Sequence, residues 1–270
     1  MRLPRRKLII VGTALLLVAG LRLGIVLTRK PPVMHDGKTV REWVLRIDQG
    51  VGNENQREEA AWAIVQIGQP AVPELEEILA WRPRKWRDHL RGWLIRFRFV
   101  EPNQLSPYEV VNRASEAAYN LGERSKTDIG TLIPHLEFHF TNGTYADSAS
   151  SRALASAGPR GIAILTNLMF FSASYNVRDQ SAWALHHVSK RPEVIAALIR
   201  AANTETNATL RVNALGYLRR SRAPPQQIVP LALKFLRSTN AYDRQQAKWA
   251  LSEYKDVEEV RAALAESEPK

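Results

Sequence analysis

The phrase Ala60-Ala61-Trp62-Ala63-Ile64, with Ile67-Gly68-Gln69-Pro70-Ala71-Val72-Pro73 close behind it, recurs down this chain. Ala114 to Ala118 precedes Leu121-Gly122, and Ser150-Ser151-Arg152-Ala153-Leu154 precedes Ala157-Gly158. Ser181-Ala182-Trp183-Ala184-Leu185, Arg211-Val212-Asn213-Ala214-Leu215 and Ala247-Lys248-Trp249-Ala250-Leu251 follow, trailed by Val188, Leu218 and Tyr254. Aligned on the fourth residue, the copies place alanine at 63, 117, 153, 184, 214 and 250, at intervals of 54, 36, 31, 30 and 36. Three residues earlier stands Ala or Ser in five copies, Arg211 being the exception. Apolar residues at i, i+3, i+4 and i+7 make one buried helical stripe. Its small side chains let neighbouring helix backbones approach toward the short end of the usual 8–10 Å range. Gly68, Gly122 and Gly158 fall where each helix is expected to end, in the left-handed geometry that suits glycine.

A second apolar segment follows each stripe: Pro73 to Leu79, Leu132 to Leu136, Ile162 to Leu168, Val194 to Ile199 and Ile228 to Leu236. Proline is favoured in a first helical turn, where it has no N–H to lose, and Pro73, Pro134 and Pro230 are read that way. The unit is therefore helix–turn–helix, repeated.

Ala-x-x-Ala-Leu-x-x-Ile-Gly, then x-x-Ala-x-Pro-x-Leu, resembles the HEAT repeat and its bacterial HEAT-like relatives, with Gln56 to Leu79 as the best copy. His35-Asp36-Gly37-Lys38-Thr39-Val40-Arg41-Glu42-Trp43 resembles the short lead-in of envelope-exported bacterial HEAT-repeat proteins. The resemblance covers roughly 35–265. It implies an all-α solenoid of about six helical pairs in a right-handed superhelix, and protein binding along a groove. Arg57, Arg178 and Arg244 stand six residues before the anchor alanine. In HEAT families that helix commonly lines the concave surface, so these arginines are candidate contacts to an acidic or extended partner; local salt bridges and caps are the plainer reading.

The interval of 54 marks an insertion near 81–108. Within it, 81–99 carries seven Arg/Lys and five aromatics against one acid, Asp88. Arg82, Arg84, Lys85 and Arg87 are candidate contacts to phosphates, anionic lipid or an acidic partner. An ordinary amphipathic helix, with Leu90, Trp93, Leu94 and Phe97 on one stripe, explains the same residues. The polar tail from Asp256 to Lys270 suits a capping helix, which a solenoid needs over its last apolar face.

The formal charge of +11 comes from 38 Lys+Arg against 27 acids, but seven of those bases lie in the acid-free residues 1–32. The remainder, 31 bases against 27 acids, is only mildly basic, which weakens a nucleic-acid reading. Residues 1–7 form a basic flank, and 8–28 form an apolar span long enough for a bilayer, with Arg22 placed to snorkel. Residues 29–40 read as a linker and 41–268 as the repeat array. The positive-inside rule puts the N-terminus in the cytoplasm and the repeats outside it, on the periplasmic side in a Gram-negative cell. A cleaved signal peptide with an h-region over 8–21 is the alternative, and it exports the same residues.

No constellation for catalysis emerges. There are no cysteines, so no disulfide, thiolate chemistry or cysteine metal site is possible. His135 and His139 are spaced i, i+4, but a zinc site needs a third ligand, and Glu137 is out of register for the HExxH motif. No G-x-S-x-G occurs, and Gly158-Pro159-Arg160-Gly161 lacks the phosphate-loop spacing and lysine. Trp62, Trp183 and Trp249 precede the anchor alanine in three copies, and a recurring register points to packing before binding. The expectation is a membrane-tethered, non-catalytic scaffold for a protein partner, with no cofactor, metal or small-molecule substrate. HEAT-like arrays also include bilin lyases and an alkylpurine DNA glycosylase, but both readings need a cytoplasmic location. Contact of 81–99 with anionic lipid is a third reading.

Overall fold

The computed structural model describes residues 31–47, 54–82, 105–142, 148–188, 191–221 and 224–267. The expected anchor at 8–28, most of the insertion, and Arg84, Lys85 and Arg87 lie outside the described residues. Among the described residues, no helix is long and apolar enough to cross a membrane.

The described chain opens with a small antiparallel hairpin, β1 (Met34–His35) and β2 (Lys38–Thr39), where the sequence reading places a linker. Asp36 and Gly37 both take positive φ at its turn, the Asp-Gly pair that two-residue hairpins favour. Thr39 then caps α1 (Val40–Arg46) in a capping box with Glu42. Trp43 is buried under the hairpin, and its Nε1–H donates to the His35 carbonyl at 3.0 Å.

Among the described residues, six helical pairs follow. The first helices are α2 (Glu54–Ile67), α4 (Pro107–Arg124), α6 (Ser148–Ser156), α8 (Tyr175–His186), α10 (Ala208–Arg220) and α12 (Ala241–Leu251). Their partners are α3 (Val72–Leu79), α5 (Ile133–Asn142), α7 (Pro159–Phe171), α9 (Pro192–Thr204), α11 (Pro225–Leu236) and α13 (Glu258–Glu266). Every first helix packs on the next first helix, and each second helix packs on the first helix that follows it. First helices lie closer together along the array than second helices do. They therefore form the shorter, inner layer.

The cause is side-chain size. Ala114, Ala117, Ala118, Ser115, Ser150 and Ala153 are all buried where α4 meets α6, and the Ser115 and Ser150 hydroxyls meet at 2.9 Å. Gly122 does not end α4, as the sequence suggests, but lies inside it. A side chain there would press within 2.5 Å of Ser156 Oγ. The helix turns over at Lys126 instead, which takes the left-handed conformation, and the Thr127 N–H returns to the Leu121 carbonyl. Gly68 and Gly158 do take positive φ at the expected turns. Pro230 is likewise not a first-turn residue, since α11 already begins at Pro225. One continuous apolar core runs from Val40 to Val260. The last helix, α13, buries only Val260 on α11 and α12 and turns its polar sides outward, as a capping helix does.

Candidate functional site on the inner layer

The inner layer is best read from its turns. Helices α8, α10 and α12 begin at the caps Ser174, Asn207 and Asn240, spaced 33 and 33 residues apart. In each, the cap side chain accepts from a backbone N–H of the first turn. Two residues earlier, Ser172 Oγ, Glu205 Oε1 and Ser238 Oγ accept from the cap residue's own N–H at 3.2, 3.1 and 3.2 Å. Four residues after each cap stands an arginine. Arg178 Nη1 donates to the Ser172 carbonyl at 2.9 Å, Arg211 Nη1 to the Glu205 and Thr206 carbonyls, both at 2.9 Å, and Arg244 Nη1 to the Ser238 and Thr239 carbonyls at 2.9 and 2.8 Å. These carbonyls close the preceding second helix or its turn, where a cation also meets the negative end of the helix dipole.

This corrects the repeat register. Alignment on Ala214 splits the last two intervals into 30 and 36, but the caps and turn arginines put Tyr217 where Ala184 and Ala250 stand, making both intervals 33. Arg211 is then the fellow of Arg178 and Arg244. Arg57 Nη2 meets Glu116 Oε1 of α4 at 3.1 Å, and the turn before it, 48–53, lies outside the described residues. Arg178, Arg211 and Arg244 tie turns, with Glu205 3.6 Å from Arg178 Nε and Asp243 4.0 Å from Arg211 Nη2 as rungs between repeats. Arg57 shares the buried Glu116 carboxylate with Arg152.

Arg82, expected at a basic surface, is drawn inward. Its Nη1 donates to the Leu79 and Trp81 carbonyls at 2.9 and 3.1 Å, and its guanidinium lies 3.9 Å from the Phe138 ring centre. Its Nη2 donates to His135 Nδ1 at 3.1 Å. His135 therefore carries its proton on Nε2. His139 Nε2, 2.8 Å from the Leu79 carbonyl, must be a donor too. His135 thus accepts from the arginine, while His139 and Arg82 both donate to the Leu79 carbonyl. Among the described residues, no group of three or more His, Cys, Asp or Glu converges as metal ligands would.

The tryptophans, expected to pack in the core or between repeats, lie at the surface between repeats: Trp62 is 49% and Trp249 48% exposed, with Trp183 partly buried between them. All three lie in one row of the inner layer, one residue before Ala63, Ala184 and Ala250. Each carries an arginine from a neighbouring helix over its ring, and each arginine is held by a glutamate. Arg124 lies 5.9 Å from the Trp62 ring centre and meets both Glu58 oxygens, at 2.6 and 3.3 Å. Arg152 lies 5.9 Å from Trp183 and pairs with Glu116. Arg219 lies 3.7 Å from Trp249 and pairs with Glu253. The Arg124 hydrogen bond holds the Glu58 carboxyl below its ordinary range.

Residues 56–80 match the PBS lyase HEAT-like repeat. The matched segment spans α2 and α3, the pair whose phrase is most regular. Together with the six helical pairs, it supports a HEAT-like repeat protein. No curated protein matches the chain.

Sequence reasoning missed the partners that make this row: Arg124, Arg152, Arg219 and their glutamates. They occupy different positions in their repeats, so no alignment column contains them. The turn arginines were findable, because Ser174, Asn207 and Asn240 are each followed four residues later by arginine.

Proposed function

We propose that this chain is a non-catalytic scaffold, tethered by the apolar span at 8–28, that binds an extended protein partner along its inner layer. The carrying observation is the row of Trp–Arg–Glu triplets. Trp and Arg dominate the residues that hold protein interfaces together; Trp offers a large flat area at little entropic cost, and each arginine here is already held by a glutamate. Trp62 and Trp249, far apart along the inner layer, leave about half of their surface open to a partner. Successive helices at roughly 8–10 Å present one contact for every third residue of an extended chain, whose rise is about 3.3 Å per residue.

The test is site-specific photocrosslinking in the native host, with the photoreactive residue replacing Trp62 or Trp249, and Ala163 of α7 as the second-layer control. The expected result is a discrete adduct from positions 62 and 249 but none from 163. Adducts from 163 alone would move the interface to the other layer and end the proposal. Flotation of the full chain with its membranes, lost on deleting 1–28, checks the tether.

A further inference from the structure

Charge is unevenly shared along the array. Described residues 54–82 and 105–142 hold eleven acids and five bases, whereas 148–188 and 191–221 hold eight arginines and three acids. Those three acids are elsewhere engaged or elsewhere placed. Asp179 accepts from Asn213 Nδ2 at 2.8 Å and from the Tyr217 hydroxyl at 3.3 Å. Glu205 faces Arg178 at 3.6 Å, and Glu193 lies in the second layer on α9.

Arg152 and Arg219 pair with Glu116 and Glu253, and Arg178 and Arg211 tie turns, so what remains on the inner layer is an aromatic patch at the ends of α8 and α10 beside one further cation, Arg220. The Trp183 and His187 rings meet at 4.7 Å, the His186 and His187 rings at 4.1 Å, and His186 stacks on Tyr217 at 5.5 Å and 11°. Arg152 reaches Trp183 from α6. Arg220, the last residue of α10, is exposed, and no carboxylate of the described residues pairs with it. Gly216, in the same row as the tryptophans, has open space where a side chain would stand. That leaves the inner surface of α10 without a side chain at the tryptophan position.

Resting on the inner-layer reading above, we infer that this patch is where the partner is recognised, and that the partner segment crossing it carries carboxylates. A carboxylate on this patch can take the fork of Arg220, with the stacked His186, His187, Trp183 and Tyr217 rings close by. A nucleic-acid backbone fits the same charges poorly. To continue toward one end it would run onto residues 54–82 and 105–142, where eleven acids stand against five bases, whereas a protein segment places its acids only where they pair. The local field is one-sided. Burial pulls the His187 ring down to about 4, with His186, Arg152 and Arg220 adding to the effect. Burial lowers His186 too, against its bond to the Trp183 carbonyl. The titratable neighbours from each packed helix are Arg152 of α6, Asp179 of α8, and Tyr217 and Arg220 of α10. A bound carboxylate supplies a negative charge beside the imidazoles, so proton uptake and binding reinforce each other as pH falls.

The experiment is fluorescence anisotropy with the full chain in detergent micelles. The probe is a labelled peptide alternating Glu with Gly. Its Lys–Gly counterpart and a single-stranded oligonucleotide serve as comparisons. The acidic peptide is expected to bind, to weaken about tenfold with Arg220→Glu, and to change less than twofold with Lys234→Glu in the second layer. Affinity should rise between pH 7.5 and 5.5, and that rise should vanish in His186→Gln/His187→Gln. The Lys–Gly peptide should gain affinity with Arg220→Glu, which misfolding could not produce. Binding indifferent to Arg220→Glu, or an oligonucleotide that binds tighter than the acidic peptide, overturns the inference. If crosslinks still form from Trp62 and Trp249 in that event, the inner-layer reading survives; if they are absent as well, both fall.

Discussion

The two halves of the array are held by different means. From α8 to α12 the repeats are periodic at 33 residues, and each turn is tied by the same cap, the same side-chain acceptor and the same arginine. From α2 to α6 the intervals are irregular, and after the described cap of α4, Ser106, Val110 stands where the later repeats have arginine. Those repeats are joined by the Glu116 carboxylate between Arg57 and Arg152 and by close approach of small residues between α4 and α6. Local, repeated turns make the later repeats nearly interchangeable. The earlier repeats depend on a few long-range contacts that occur once each, so single substitutions there should act more strongly.

The sharpest way to break this contrast is at Glu116, which is 4% exposed. Glu116→Ala strands Arg152, and the part of Arg57 that faces inward, beside buried surface. The expected loss is about 3 kcal/mol, the scale for removing one partner of a buried pair. Glu116→Leu with Arg152→Met, which removes charge on both sides, should recover most of it. Chemical denaturation of the two variants decides the matter. A single substitution that costs no more than a surface change would show that the pair does not join the repeats.

Substitution of the turn arginines should have a smaller and more uniform effect. Arg178→Met, Arg211→Met and Arg244→Met each remove donors to helix-terminal carbonyls, and each should cost about 1–2 kcal/mol. Arg211 decides the register. If Ala214 were the true anchor, Arg211 would be an irregular residue with its own effect; with Tyr217 in that place, it should match Arg178. Thermal melts of the three variants side by side give the answer.

That slip shows what the sequence could and could not carry. The paired helices, the alanine stripe and the terminal cap were legible, because period and side-chain size are local. The true register of α10 was not, because Ala214-Leu215 imitates the anchor phrase one helical turn early. Buried Tyr217 occupies a site that five other repeats fill with alanine. Its hydroxyl is satisfied by Asp179, a partner 38 residues away, and no reading of one repeat reveals that. The hairpin at 34–39 was signalled by Asp36-Gly37, but two-residue strands give no alternation to read. The fixed register of the tryptophans pointed to packing, and it is packing between repeats, with Trp62 and Trp249 half exposed. The row one residue before the anchor sits at the edge of the buried stripe, where a large side chain can cover the helix surface and still meet solvent.

The smallest expected effect is also the most local. His187 is held neutral well below 6.5, its ordinary value, chiefly by burial of part of its ring. Between 6.5 and about 4 the unfolded chain takes up a proton that the folded chain refuses, so acidification through this window favours unfolding. Above 6.5 both states are neutral, and the residue adds no pH dependence. Because one edge of the ring stays in solvent, the loss between pH 7.5 and 5 should be held to about 0.5 kcal/mol. His187→Gln should flatten that part of the stability curve without altering stability at pH 7.5 by more than a few tenths of a kcal/mol. Denaturation midpoints at both pH values, for both proteins, measure it. A slope unchanged by the substitution would mean that His187 titrates as a free surface histidine, and that the crowding by Trp183, His186 and Arg152 does not persist in solution.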